Sequence, residues 1–277
     1  MYAGTRSIKT KRVSRLPFCD AQLKGLLRLV FEDASIRTLR PLDKGLSNKN
    51  YYLEVGQQSY LLKRYSNALP TMALDAQRQL AKIGVAQSPV VYDAHTRLAL
   101  FEFVTQSDEA ISLSEALLTR LHTLHQFVLP EIGLLSLNAV LTEAGQVLAQ
   151  SAYAAQLCSQ LAQFEADICF CHNDLVRDNI LATAQGPVFI DFEYAQYNDR
   201  YFDLAALCAS FSLTVHQGNA MLNQYYTLAD IAMPAYAQDK LKCYVQVYLL
   251  LSIGWYQQRG LEQYISPLLV QQIAWRD

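Results

Sequence analysis

Cys169-Phe170-Cys171-His172-Asn173-Asp174-Leu175-Val176-Arg177-Asp178-Asn179-Ile180-Leu181 is followed by Val188-Phe189-Ile190-Asp191-Phe192-Glu193-Tyr194 and then Phe202-Asp203. Two short apolar runs, Ile168 to Cys171 and Val188 to Ile190, read as strands, and Gln185-Gly186-Pro187 is the turn signal joining them. Each run delivers a carboxylate at its end, Asp174 after the first and Asp191 after the second. Asn179 sits on the loop between. Three oxygen ligands on adjacent loops are what phosphoryl transfer requires. One carboxylate takes the proton from a hydroxyl nucleophile, and hard oxygens hold Mg2+ on the triphosphate.

Around this segment, composition sets the bounds. The 277 residues fit one large domain or two lobes, with 52% hydrophobic and 17% charged residues, ample for a core. A net charge of −2 gives no reason to expect a nucleic-acid partner. The six cysteines form no secreted framework and read as reduced thiols, so the expected setting is cytoplasmic. Cys169-x-Cys171 beside His172 reads as alternating strand positions rather than a metal cluster, because no second ligand pair accompanies it. Residues 1 to 17, with Arg6, Lys9, Lys11, Arg12 and Arg15, lack an apolar core and read as a solvated arm. The stretch from Tyr244 to Tyr256 is too short to span a bilayer, so no membrane role is expected.

Upstream, Phe18 to Glu32 reads as a helix. The run from Leu42 to Val55 reads as strand, Gly/Ser/Asn turn and strand. Ser59 to Tyr65, carrying Lys63, is a further strand. Backbone N–H groups of such a turn can bond phosphate oxygens, with the Lys63 ammonium behind them; an ordinary hairpin gives the same pattern. Thr71 to Ile83 reads as a helix, and Val90 to Tyr92 and Arg97 to Val104 as strands. Ser112-x-x-Glu115 reads as a capping box opening a Leu-rich helix. His122 and His125 lie on or beside its apolar stripe, with no carboxylate partner in view. Residues 130 to 150 are open between an insertion and short helices. Ser151 to Phe164, Asp203 to Ser212, 217 to 228, 237 to 258 and 261 to 274 read as helices.

His172-x-Asp174 with Asn179, then Ile190-Asp191-Phe192-Glu193-Tyr194-Ala195, Asn198 and Phe202-Asp203, resembles the aminoglycoside phosphotransferase and choline kinase superfamily. It is most similar to the choline/ethanolamine kinases and their bacterial relatives, thiamine kinases included. The resemblance covers about residues 42 to 275. It implies an α+β, two-lobe protein-kinase-like fold. A small antiparallel-sheet lobe over 1–104 takes the nucleotide, and a mainly helical lobe over 105–277 takes catalysis and substrate. ATP and Mg2+ are the implied cofactors. Asp174 is then the catalytic base, Asn179 and Asp191 the metal ligands, and His172 a residue that packs and orients the loop. Gly45, Ser47 and Asn48 resemble the phosphate-covering loop, and Lys63 stands at the ATP-contacting base. Glu102 and Val104 stand at the hinge that meets adenine. Asp75 is the one carboxylate of its helix that could pair with Lys63, in a register unlike the usual Glu. Asp203 could bind metal as a carboxylate, and the resemblance implies instead a structural acid that holds the catalytic loop through hydrogen bonds.

The acceptor follows from the pocket. Trp255 matches a cation-binding tryptophan of the choline kinases, with Tyr194 and Glu193 as further contacts, so the expected substrate is a cationic alcohol, choline first. Three departures bear on that choice. Ser252 stands where another tryptophan is common, Val176 where a glutamine is frequent, and Ser210 about where many relatives carry a glutamate. Thiamine, ethanolamine or an aminoglycoside therefore stay open as acceptors. The alternative from another class is a catalytically silent nucleotide-binding relative, which intact Lys63, Asp174, Asn179 and Asp191 argue against. A protein substrate is disfavoured because no Ala-Pro-Glu-type segment follows Asp191.

Overall fold

The computed structural model of the protein describes residues 20–32, 35–42 and 47–276. The basic arm and Gly45 lie outside the described residues. In chain order come α1 (Asp20–Arg28), β1 (Ile36–Leu42), β2 (Lys49–Val55), β3 (Gln58–Arg64), α2 (Thr71–Lys82), β4 (Pro89–Asp93) and β5 (Leu98–Glu102). Then follow α3 (Glu115–His125), α4 (Leu137–Val147), α5 (Ser151–Leu161), β6 (Ile168–Cys171), β7 (Ile180–Thr183), β8 (Gly186–Phe189) and β9 (Gln196–Asp199). The chain closes with α6 (Tyr201–Ser210), α7 (Val215–Ala229), α8 (Ala237–Gln258) and α9 (Ile265–Ala274). Two compact units result, Met1–Leu69 with Val90–Glu102, and Pro70–Pro89 with Phe103–Asp277.

The first unit is built on a five-stranded sheet in the order β1-β2-β3-β5-β4. Its pairs β1/β2, β2/β3 and β3/β5 are antiparallel. Period-two alternation turns Tyr51, Leu53 and Val55 of β2 and Tyr60 and Leu62 of β3 to one face. There they join Leu23, Leu26 and Leu27 of α1 in a single core. β1 begins upstream of the expected start at Leu42, because this edge strand is largely exposed and carries no apolar alternation to mark it.

Helices dominate the second unit, with two small antiparallel sheets, β6/β9 and β7/β8. The fold is thus α+β. α8 is its axis, buried along most of its length and packed against α4, α5, α6 and α9. In α6, Tyr201 through Ala209 are all buried, so it carries no amphipathic signal. Two ion pairs tie this interior together: Lys240 Nζ to Asp199 at 2.6 Å and Arg200 Nε to Asp167 at 2.7 Å.

Two sequence expectations need correction, and one open reading is resolved. The N-cap of α3 is Ser114, not Ser112; its extended backbone lets Oγ accept the Leu117 N–H at 3.3 Å. The open stretch from 130 to 150 contains α4. α7 starts at Val215 because Thr214 and Gln217 form a capping box there. Among the described residues, no helix is long and apolar enough to cross a membrane.

Candidate active site

β6 hands the chain to a loop whose shape is set from below by Asp203. That carboxylate, fully buried on α6, accepts the backbone N–H groups of His172 and Asn173, both at 2.8 Å. Two charge-assisted bonds to consecutive amides fix the backbone just ahead of Asp174. Asn173 sits at φ 61, in the left-handed region where a bare side chain costs energy. Its own amide offsets that cost. Nδ2 donates to the Tyr194 carbonyl at 3.0 Å, and Oδ1 accepts from Asn198 Nδ2 at 2.8 Å.

His172 is a strut rather than a reacting group. Nε2 lies 2.9 Å from the Ile190 carbonyl, which can only accept, so Nε2 carries the proton. Nδ1 is then the acceptor for the Asp174 N–H at 3.3 Å. The ring also packs against Phe192, with centroids 4.6 Å apart. One imidazole therefore ties the Asp174 loop to the chain entering Asp191.

Asn179 closes the arrangement. It ends a short 3-10 turn, Arg177–Asn179, and its Nδ2 donates to the Asp174 main-chain carbonyl at 2.8 Å and to the Asp174 carboxylate at 3.0 Å. With the nitrogen so committed, Oδ1 is the atom left to offer a ligand. The Ile190 N–H donates to the Asn179 carbonyl at 3.0 Å, bringing the chain to Asp191 beside it. Asp191 has φ 64, a strained setting for a non-glycine residue and a mark of a functionally constrained position. Asp174, Asn179 and Asp191 are all partly buried.

An aromatic wall stands next to this loop. Tyr194 neighbours Trp255, and its phenol pKa is raised by burial first, then by the charges of Glu193 and Asp174. Tyr256 meets Trp255 edge-on at 5.1 Å and stacks on Tyr264 at 5.1 Å. Burial and the Asp174 charge raise the phenol pKa values of both Tyr248 and Tyr256. Ser252 neighbours the Tyr248 phenol. Ser210, the other small substitute, accepts the Arg177 N–H. Tyr248, Tyr256, Tyr264, Asn173 and Arg259 were not singled out from sequence, although Tyr256 and Arg259 follow Trp255 within one helical turn.

Of the remaining predicted positions, Ser47, Asn48, Lys63 and Glu102 belong to the first unit, and Asp75 and Val104 to the second. Lys63 is 4% exposed, and its ammonium stands 4.7 Å over the Tyr65 ring. Asn48 Oδ1 accepts the Ser66 N–H at 3.0 Å, while Ser66 Oγ donates to the Ser47 carbonyl. The described end of that loop is thus moored to Ser66, two residues past β3. Glu102 ends β5 opposite Tyr60. Val104, partly buried, begins the following segment. Asp75 is exposed and pairs with Arg78 at 3.3 Å.

The Cys169 and Cys171 sulfurs, on the same face of β6, lie 3.6 Å apart. The histidine beside them is His125, not His172, with its donor atom and both sulfurs within 4.8 Å of one another. Contrary to the sequence reading, His125 has a carboxylate partner. Nε2 faces Asp203 at 3.3 Å and Nδ1 faces the Tyr225 hydroxyl at 2.8 Å. Burial pushes the Cys171 thiol well up, while the Cys169 pKa is lowered chiefly by its hydrogen bond with Cys171. With both ring nitrogens in hydrogen bonds, this is a saturated polar core behind the loop.

Comparison with known proteins agrees with this architecture. The sequence pattern of the phosphotransferase enzyme family matches residues 38–238. Human ethanolamine kinase 2 is 33% identical over 104 residues, which is 34% of this chain and 27% of the human protein. Protein LicA of Haemophilus influenzae is 38% identical over 55 residues, 20% of this chain and 21% of that protein. The chain thus aligns with well under half the length of these relatives. Among solved structures, choline kinase LicA from Streptococcus pneumoniae superposes with a TM-score of 0.73 at 18% identity, covering 92% of this chain and 96% of that one. A spectinomycin phosphotransferase in complex with ADP and spectinomycin gives 0.61 at 14% identity, covering 94% of each chain. The shared fold is the two-lobe, kinase-like one.

Proposed function

The chain belongs to the phosphotransferase enzyme family, and from that premise we propose that it transfers the γ-phosphoryl group of ATP to the hydroxyl of a small cationic alcohol, choline first. Asp174 is the base. It takes the hydroxyl proton as the oxygen attacks phosphorus, a contribution of about 10²–10⁴-fold for a positioned carboxylate. The observation that carries this reading is the grip on Asp174: Asn179 Nδ2 holds its carboxylate at 3.0 Å, on a loop whose backbone Asp203 fixes.

Mg2+ fits the donor set. A hard cation takes oxygen ligands, and Asn179 offers Oδ1 once its nitrogen is spent on Asp174, with the Asp191 carboxylate as the second ligand. The bound ion would supply charge neutralisation on the phosphates. Lys63 contributes a buried ammonium on the nucleotide side, together with Ser47, Asn48 and the backbone of Glu102 and Val104. For the acceptor, the wall of Tyr194, Trp255, Tyr256 and Tyr264 supplies π faces and Glu193 a negative charge, a setting suited to an ammonium group. Relatives named as choline and ethanolamine kinases support that class. Five described cysteines carry free thiols, in keeping with a reducing, cytoplasmic setting.

The test is Mg-ATP consumption by the purified protein with choline, ethanolamine, thiamine, an aminoglycoside or no acceptor, and Asp174→Asn as control. Turnover with a cationic alcohol that disappears in the variant is the expected result. Failure to bind Mg-ATP would overturn the kinase reading.

A further inference from the structure

The aromatic wall already contains a cation. The Arg259 guanidinium carbon lies 3.7 Å from the centroid of the Trp255 ring, a stacking distance, and Nη1 donates to the Trp255 carbonyl at 3.4 Å. Arg259 caps the C-terminus of α8, one helical turn beyond Trp255, so the helix itself delivers the guanidinium to that face. Its charge also acts on the Tyr194 phenol of the same wall. Trp255 is partly exposed, whereas Trp275, the second of the two tryptophans, is fully buried.

An ammonium group and a guanidinium compete for the same indole face, because both are drawn by the same negative ring potential. We propose that Arg259 is an intramolecular competitor for the acceptor cation: the acceptor's ammonium binds by displacing the guanidinium from Trp255. This rests on the cationic-alcohol reading given above. Acceptor binding then exchanges one cation for another rather than filling a bare site, which weakens affinity for permanently charged alcohols. Arg259 is exposed, so the displaced guanidinium moves into water without leaving a buried charge behind.

Two measurements test this in the full-length protein. Steady-state kinetics would compare choline with its uncharged isostere 3,3-dimethylbutan-1-ol in wild type, Arg259→Gln and Arg259→Gln/Trp255→Leu. Titration of tryptophan fluorescence with tetramethylammonium against sodium, which needs no turnover, would follow cation binding to Trp255 directly. Arg259→Gln should lower the KM for choline and the Kd for tetramethylammonium by about three- to tenfold. The isostere should not gain, and Trp255→Leu should erase the effect. If Mg-ATP does not bind but tetramethylammonium still binds more tightly to Arg259→Gln, the kinase reading fails and the competition for the Trp255 face stands. Unchanged or weaker tetramethylammonium binding overturns it. So does a selective loss of a carboxylate-bearing alcohol in Arg259→Gln, which would make Arg259 an anion anchor.

Discussion

The carboxylate of Asp203 holds the backbone of His172, accepting its N–H at 2.8 Å from a position with no exposed surface. The same group accepts from Asn173 and faces His125, so one buried charge serves three donors. Asp203→Asn replaces one acceptor oxygen with an NH2 that must confront either a backbone N–H or the imidazole. Leaving a buried donor unmet costs about 2–4 kcal/mol. The urea midpoint should fall accordingly, and kcat should fall with it because the loop ahead of Asp174 loses its anchor. An unchanged midpoint would mean that the loop is held by other contacts.

This anchor shows where sequence reading stops. In the catalytic segment β6, β8 and the carboxylates were legible because they lie close together in the chain, but the four-residue partners β7 and β9 were not, and the turn joins β7 to β8 rather than β6 to β8. β2 and β3 were legible from the alternation of Tyr51, Leu53, Val55, Tyr60 and Leu62. The role of Asp203 came only through family resemblance, since no local pattern joins it to residue 172. Its contact with His125 spans still more chain and left no trace in either helix. Arg259 over Trp255 is a one-turn relationship, yet an arginine at a helix end reads by default as solvated. β1 was misplaced for a different reason: an exposed edge strand has no apolar period to find.

Gly218 is fixed by its neighbour rather than by its backbone. A Cβ there would stand 2.4 Å from the Trp275 ring and 3.2 Å from Cys208 Sγ. The ring cannot retreat easily, because it is fully buried and its Nε1–H donates to the Leu213 carbonyl at 2.8 Å. Alanine would add about 1 kcal/mol of helix propensity. Overpacking costs about 1–3 kcal/mol and wins. Gly218→Ala should lower the thermal midpoint; a rise would show that Trp275 is free to shift.

Stability should respond to His122 on the acid side. Its pKa is held below the usual 6.5 by burial first, then by His125 and Arg200, and its Nδ1 has no hydrogen-bond partner among the described residues. The unfolded chain therefore takes up this proton first. The stability that neutral His122 contributes is present above about pH 6.5 and is lost as pH falls through the depressed native value. His125 works in the opposite sense. Burial lowers its pKa, but Cys169 and Asp203 outweigh burial and raise it, so its contribution is lost as pH rises. His122→Gln should flatten the fall in urea midpoint between about pH 7 and 5. An unaltered slope would remove His122 as its source.

Asn179 offers a test of metal binding that needs no turnover. Its Nδ2 now donates to the Asp174 carboxylate at 3.0 Å. Asn179→Asp replaces that donor with a second acceptor at the same distance, and two carboxylates so close cannot both ionise without a cation between them. In chelator the variant should lose about 1.5–3 kcal/mol, the worth of a hydrogen bond to a charged group. Millimolar Mg2+ should then raise its thermal midpoint more than that of the wild type, because the ion both relieves the repulsion and gains an anionic ligand. An equal rise in both proteins would exclude residue 179 as a ligand and leave its amide only the task of holding Asp174.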